Sequence, residues 1–125
     1  MIHPPPTIVL TTLNAKYIHA SLGLRYLLAN MDELRSRTVL REFTIARPAQ
    51  EVVDELLLTL GDPAAAPQIV GFGVYIWNVV QTTAVLRLLR AARPEIKVVL
   101  GGPEVSHEVA EQEITGLADH VITGW

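Results

Sequence analysis

The sequence has no cysteine. That excludes a disulfide framework, a thiolate metal site and an iron–sulfur ligand within these 125 residues. Positive charge is in short supply as well, with Lys and Arg totalling 10 against 13 Asp and Glu, a net charge of −3. A domain that lives by phosphate contacts carries a basic stripe. Here Arg25, Arg35, Arg37, Arg41, Arg87, Arg90 and Arg93 are scattered, so nucleic acid is not an expected partner. No apolar run reaches the about 20 residues of a membrane-crossing helix; the longest, Ile69 to Val80, is interrupted by Asn78, and no membrane is expected as a partner. No arginine-flanked apolar leader precedes the first strand and Pro4-Pro5-Pro6 is foreign to a signal peptide, which makes the cytoplasm the expected location. The familiar catalytic constellations are missing too. There is no Walker A loop, no serine–histidine–acid set and no paired carboxylates, and His3, His19, His107 and His120 show no ligand spacing. Neither a protein-built metal site nor independent catalysis is expected.

What is present is apolar and regularly organised. Half of the residues are hydrophobic and the mean hydropathy is +0.31, which excludes disorder. Thr7 to Thr12 is β-branched and reads as a first strand. From about Ser21 the period changes, with Leu24, Leu27, Leu28 and Met31 on one helical face. Thr38 to Phe43 alternates as a second strand. Pro48 then suits a first helical turn, Val52, Val53, Leu56, Leu57 and Leu60 follow at helical spacing, and Gly61 ends the helix. Asp62 to Pro67 is a loop.

Ile69 to Tyr75 is continuously apolar, the mark of a central strand covered on both faces, and its glycines suggest close approach by a helix or a ligand. Asn78 and Gln81 have the spacing of a capping box for a helix that stops before Pro94. Ile96 to Leu100 is a fourth strand, closed by Gly101-Gly102-Pro103. Glu104 to Ile114 reads as a helix with Glu108, Glu111 and Glu113 towards solvent, and His120 to Thr123 as a fifth strand.

Strict alternation predicts an α/β domain: an open five-stranded parallel sheet of flavodoxin-like (Rossmann-like) order 2-1-3-4-5, with helices on both faces. No closing helix follows the fifth strand, so residues 1–125 are expected to be one domain from the front of a longer protein, cut before its last helix. Ligands in such folds sit beyond the carboxyl ends of the strands. Three segments gather there: Leu13, Asn14, Lys16 and Tyr17; Tyr75, Ile76, Trp77 and Asn78; and Gly101, Gly102, Pro103 and Glu104. The glycine pair fits either close backbone approach to a bulky ligand or a tight strand-to-helix turn. Asn78 is most simply a helix cap.

Thr11 to Gly23, Val70 to Asn78, Val99 to Val105 and the terminal Asp119 to Gly124 resemble the amino-terminal cobalamin-binding domain of cobalamin-dependent radical S-adenosylmethionine proteins, a group of methyltransferases and anaerobic magnesium-protoporphyrin monomethyl ester oxidative cyclases. The resemblance implies cobalamin across the strand ends, its nucleotide tail beside the sheet and the twelve residues just named around it. It implies a downstream radical domain of the same chain, which would carry the S-adenosylmethionine and the iron–sulfur cluster. Members that supply a histidine to cobalt carry Asp-x-His-x-x-Gly after the first strand. Asn14-Ala15-Lys16 stands here, so cobalt is expected to take no histidine from this chain. A homodimer is left open by the sequence. The alternative is a non-catalytic flavodoxin-like module that has lost cobalamin and binds a substrate or partner; response-regulator and flavodoxin readings fail on the residues after the first strand.

Overall fold

The computed structural model describes residues 7–14, 29–61, 67–75, 78–102 and 113–122. Five strands form one sheet: β1 Ile8–Asn14, β2 Thr38–Thr44, β3 Ile69–Gly73, β4 Lys97–Gly101 and β5 His120–Val121. The order is β2-β1-β3-β4-β5 and every pair is parallel. This is the flavodoxin-like α/β sheet that the alternation predicts. Parallel neighbours need crossovers rather than tight hairpins. Two of these are helical within the described residues: α1, Ala49–Leu60, and α2, Val79–Ala92.

Register divides the sheet into two faces. Val9 pairs with Val70 and Val70 with Val98, while Thr11 pairs with Phe72 and Phe72 with Leu100. The apolar members of these rows join Val52, Val53, Leu56 and Leu60 of α1 and Val85, Leu86 and Leu89 of α2 in the main core. The spacing of three and four in each helix turns one stripe inward, and each fully buried branched side chain contributes about 1.5–3 kcal/mol. The opposite face carries Ile8 and Leu10, packed with Met31, Leu40 and Ile69. Most of the helix expected from Ser21 lies outside the described residues, but Met31 at its end packs on this second face.

Several boundaries differ from the sequence expectation for physical reasons. β1 runs on through Leu13 and Asn14, because Phe43 and Thr44 of β2 continue to pair with them. β3 stops at Gly73, where Asn78 takes over the Gly73 carbonyl. Pro48 is the residue before α1, with ψ 140, rather than its first turn. A 3-10 turn at Asp32–Arg37 precedes β2, and Glu113–Leu117 is 3-10, with Ile114 sealed into the main core. Gly61 does end α1 at positive φ (72°). No helix among the described residues is long and apolar enough to cross a membrane.

Candidate functional site

The order 2-1-3-4-5 means that the chain leaves β1 towards β2 on one side while β3 lies on the other. The carboxyl ends of β1 and β3 therefore flank the switch point, where a crevice opens in sheets of this kind. Asn78 holds these two ends together. It is fully buried, and its Nδ2 shares two hydrogens among the Leu13 carbonyl at 3.0 Å, the Gly73 carbonyl at 3.1 Å and the Thr12 hydroxyl at 3.2 Å. Its Oδ1 accepts from the Tyr75 backbone N–H at 2.8 Å. The Thr12 hydroxyl in turn donates to the Gly73 carbonyl at 2.9 Å. The expected Asn78–Gln81 capping box is thereby corrected. Asn78 precedes α2 but makes no side-chain cap, because its amide is committed across the sheet; Gln81 donates instead to the Arg47 carbonyl at 2.7 Å.

The other expected site residues divide into two groups. Leu13 is sealed in the main core, so its side chain belongs to packing. Asn14 is buried and donates to Glu42 at 3.3 Å, while its carbonyl accepts from Ile45 at 2.8 Å. Tyr75 is half-buried, with its ring edge 3.4 Å from where a Cβ on Gly73 would stand. Gly101 accepts at its carbonyl from Val74 at 2.7 Å, and Gly102 has φ +112°. A Cβ on Gly102 would stand 2.4 Å from the Val74 carbonyl oxygen, so the backbone of the adjacent strand alone demands that glycine. Of the two readings of the pair, the tight turn is the one the geometry supports at Gly102. Lys16, Tyr17, Ile76, Trp77, Pro103 and Glu104 lie outside the described residues. So do His3, His19 and His107; His120 is exposed at the start of β5, opposite Val99.

The second face of the sheet carries a feature that the strand-end reading passed over. A groove of about 220 Å³ runs along it, floored by Ile8 and Leu10 of β1, Gly71 and Gly73 of β3 and Val99 and Gly101 of β4, with Met31 and Leu34 at its margin. Three of these six floor positions are glycine, so the middle of the sheet is bare backbone. A Cβ on Gly71 would stand 3.0 Å from Leu10 Cδ2, and one on Gly73 would stand 3.4 Å from Thr12 Oγ1. Added side chains would fill the groove. The signal was present as Gly71-Phe72-Gly73 within an apolar strand, where alternation puts both glycines on one face.

Among the described residues the switch point and groove present backbone, committed amides and apolar surface. No curated protein matches the chain in sequence. The family model of the B12 binding domain matches residues 8–125, nearly the whole sequence. The chain belongs to the B12-binding domain family.

Proposed function

We propose that this chain is the cobalamin-carrying part of a radical S-adenosylmethionine enzyme of the methyl-transfer or oxidative-cyclisation type, holding its cofactor at the strand ends without a histidine ligand to cobalt. The observation that carries the cobalamin half is the glycine-floored groove that rises towards the β1–β3 switch point, in a chain of the B12-binding domain family. What supports the fit is physical: Gly71, Gly73 and Gly101 line the groove without side chains, and a Cβ on Gly71 or Gly73 would press on Leu10 or on Thr12 and Tyr75. In this reading Asn14, Lys16, Tyr17, the Tyr75-to-Asn78 loop and Gly101 to Glu104 would hold the corrin, and the groove would take the nucleotide tail. The radical half rests on the resemblance of Thr11 to Gly23 and of the Gly101-Gly102-Pro103-Glu104 segment to that group.

Bound cobalamin supplies a cobalt centre able to carry a methyl group or electrons, chemistry that belongs to the cofactor. The chain's own part is to bind, orient and shield. Asn78 and Thr12 keep the two strand ends at a fixed separation before any ligand arrives, so that less ordering is left to binding. The apolar groove removes water from the tail. Bond-breaking at substrate falls to the downstream domain.

Titration of the 125-residue chain with hydroxocobalamin tests the first half: a shifted visible spectrum and co-elution on gel filtration are expected. No shift at large excess overturns it and favours a flavodoxin-like module that has lost the cofactor. Iron–sulfur reconstitution of the longer chain, read by S-adenosylmethionine cleavage, tests the second half; a reconstituted protein that cleaves none overturns it.

A further inference from the structure

We infer that the groove over Gly71 and Gly73 selects among cobalamin-like cofactors by the base at the end of the nucleotide tail, accepting a benzimidazole and discriminating against the more polar purine. The inference rests on the cobalamin reading above and goes beyond it to the chemistry of the tail.

Size comes first. Pockets for whole small-molecule ligands run to about 300–1,000 Å³. At about 220 Å³ the groove is below that range and far too small for a corrin. It takes a fragment. Of the cofactor's fragments, the phosphate is charged, the ribose carries hydroxyls and the corrin is fringed with amides. Dimethylbenzimidazole is flat, bicyclic and the least polar of them, with one free ring nitrogen, and Gly71 and Gly73, between the end of Leu10 and the edge of the Tyr75 ring, offer a floor for such a ring.

Polarity then decides between bases. Among the described residues, the side chains around the groove are those of Ile8, Leu10, Met31, Leu34 and Val99, with Ile69 and Ile122 beyond them and the edge of the Tyr75 ring beside Gly73. The backbone beneath is already used. β1, β3 and β4 are each hydrogen-bonded to a strand on both sides. Two described polar side chains at the carboxyl end are engaged as well: the Thr12 hydroxyl donates to the Gly73 carbonyl, and the Asn78 amide is spread over three oxygens. Adenine, the base of a common purine relative of cobalamin, carries an exocyclic amine and ring nitrogens that water satisfies in solution. In this groove those groups would exchange water for apolar wall, and an unpaired buried polar group costs enough to weaken binding about tenfold or more.

The test is competition among three ligands for the 125-residue chain, with dissociation constants from equilibrium dialysis: hydroxocobalamin, its adenine-based analogue, and aquocobinamide, which lacks the nucleotide tail. Hydroxocobalamin is expected to bind at least tenfold more tightly than either of the others. Binding of hydroxocobalamin and the adenine analogue within twofold of each other overturns the inference while leaving the cobalamin reading intact. Failure of all three to bind overturns that reading and the inference with it. Gly71→Ala puts a methyl group into the groove against the movable end of Leu10. It should weaken hydroxocobalamin at least fivefold and leave aquocobinamide unchanged; equal effects on the two, or none on either, place the base elsewhere and overturn the inference. Val99→Thr keeps the shape of a half-buried wall residue and adds a hydroxyl. It should narrow the gap between the two bases at least threefold, and an unchanged gap counts against the inference even where Gly71→Ala fails to fold.

Discussion

The side-chain amide of Asn78 donates to the carbonyl oxygen of Leu13 at 3.0 Å, across 65 residues of sequence. The same nitrogen reaches the Gly73 carbonyl and the Thr12 hydroxyl, so one buried side chain closes the carboxyl ends of two neighbouring strands. Asn78→Ala would leave the Leu13 carbonyl and the Tyr75 N–H without this partner in a buried setting. With about 1–3 kcal/mol for each group left unsatisfied, a loss of about 3 kcal/mol is expected in urea unfolding. Asn78→Asp should cost more at neutral pH, because a carboxylate would face three oxygens, and its deficit should shrink as pH falls and the carboxyl gains a proton to donate. A deficit that does not change with pH would contradict this arrangement.

Gly71 and Gly102 should respond very unequally to the same substitution. At Gly102 an added Cβ would meet the Val74 carbonyl oxygen at 2.4 Å, and φ is +112°. Strain and overlap against fixed backbone together predict a loss of about 3 kcal/mol or more for Gly102→Ala. At Gly71 the nearest atom is the end of the flexible Leu10 side chain at 3.0 Å, and φ is not positive. Gly71→Ala should therefore unfold within about 1 kcal/mol of the parent, and β-propensity favours it. Paired urea midpoints check both.

The contrast also shows what the sequence could and could not disclose. Element order, parallel pairing and the β2-β1-β3-β4-β5 arrangement were readable, because hydrophobic period switches between strand and helix and the loops announce themselves with Gly and Pro. The role of Asn78 was not. Local spacing to Gln81 imitates a capping box, and two of the three acceptors that win the side chain lie 65 and 66 residues away, brought near only by the sheet. The two glycines of the Gly101-Gly102 pair looked alike in sequence, yet only the path of Val74 reveals that Gly102 is required by backbone packing. Gly71 and Gly73 were visible as a pair, but that they share one face with Gly101 and form a groove depends on register between strands.

Thr11 is a place where the chain should be open to improvement. It lies in β1, fully buried, and its hydroxyl has no hydrogen-bond partner among the described residues. Val has nearly the same shape and a higher strand preference, and it removes a polar atom buried without compensation. Thr11→Val should raise stability by about 1 kcal/mol, seen as a higher urea midpoint with unchanged slope. A lower midpoint would mean that the hydroxyl is satisfied in solution.

Asp119 and Arg90 lock the opposite edge of the sheet and make its stability depend on acid. Asp119 Oδ2 accepts from the Val98 N–H at 2.8 Å and from Arg90 Nη2 at 2.6 Å. The backbone N–H first, and then the guanidinium, hold its carboxyl below the ordinary aspartate value. Arg90 also donates to the carbonyls of Leu117 at 2.8 Å and Ile96 at 2.9 Å, which ties α2 to the entry of both β4 and β5. A carboxyl whose pKa is lower folded than unfolded contributes fully above its unfolded value, about 3.9. That contribution disappears as pH falls through the unfolded and then the folded value, because protonation then costs the native state more than the unfolded one. Stability should therefore drop on acidification below about pH 5, and Asp119→Asn should flatten part of that drop while lowering stability at pH 7. Arg90→Lys should cost nearly as much as Arg90→Ala, since one ammonium cannot serve carbonyls lying in separate directions as the planar fork does. Urea midpoints measured from pH 7 down to the acid range would reveal both effects. If Asp119→Asn kept the parent's full acid slope, the sensitivity would have to originate at other carboxyls, such as Glu95, which is also held low by its hydrogen bond from Arg93.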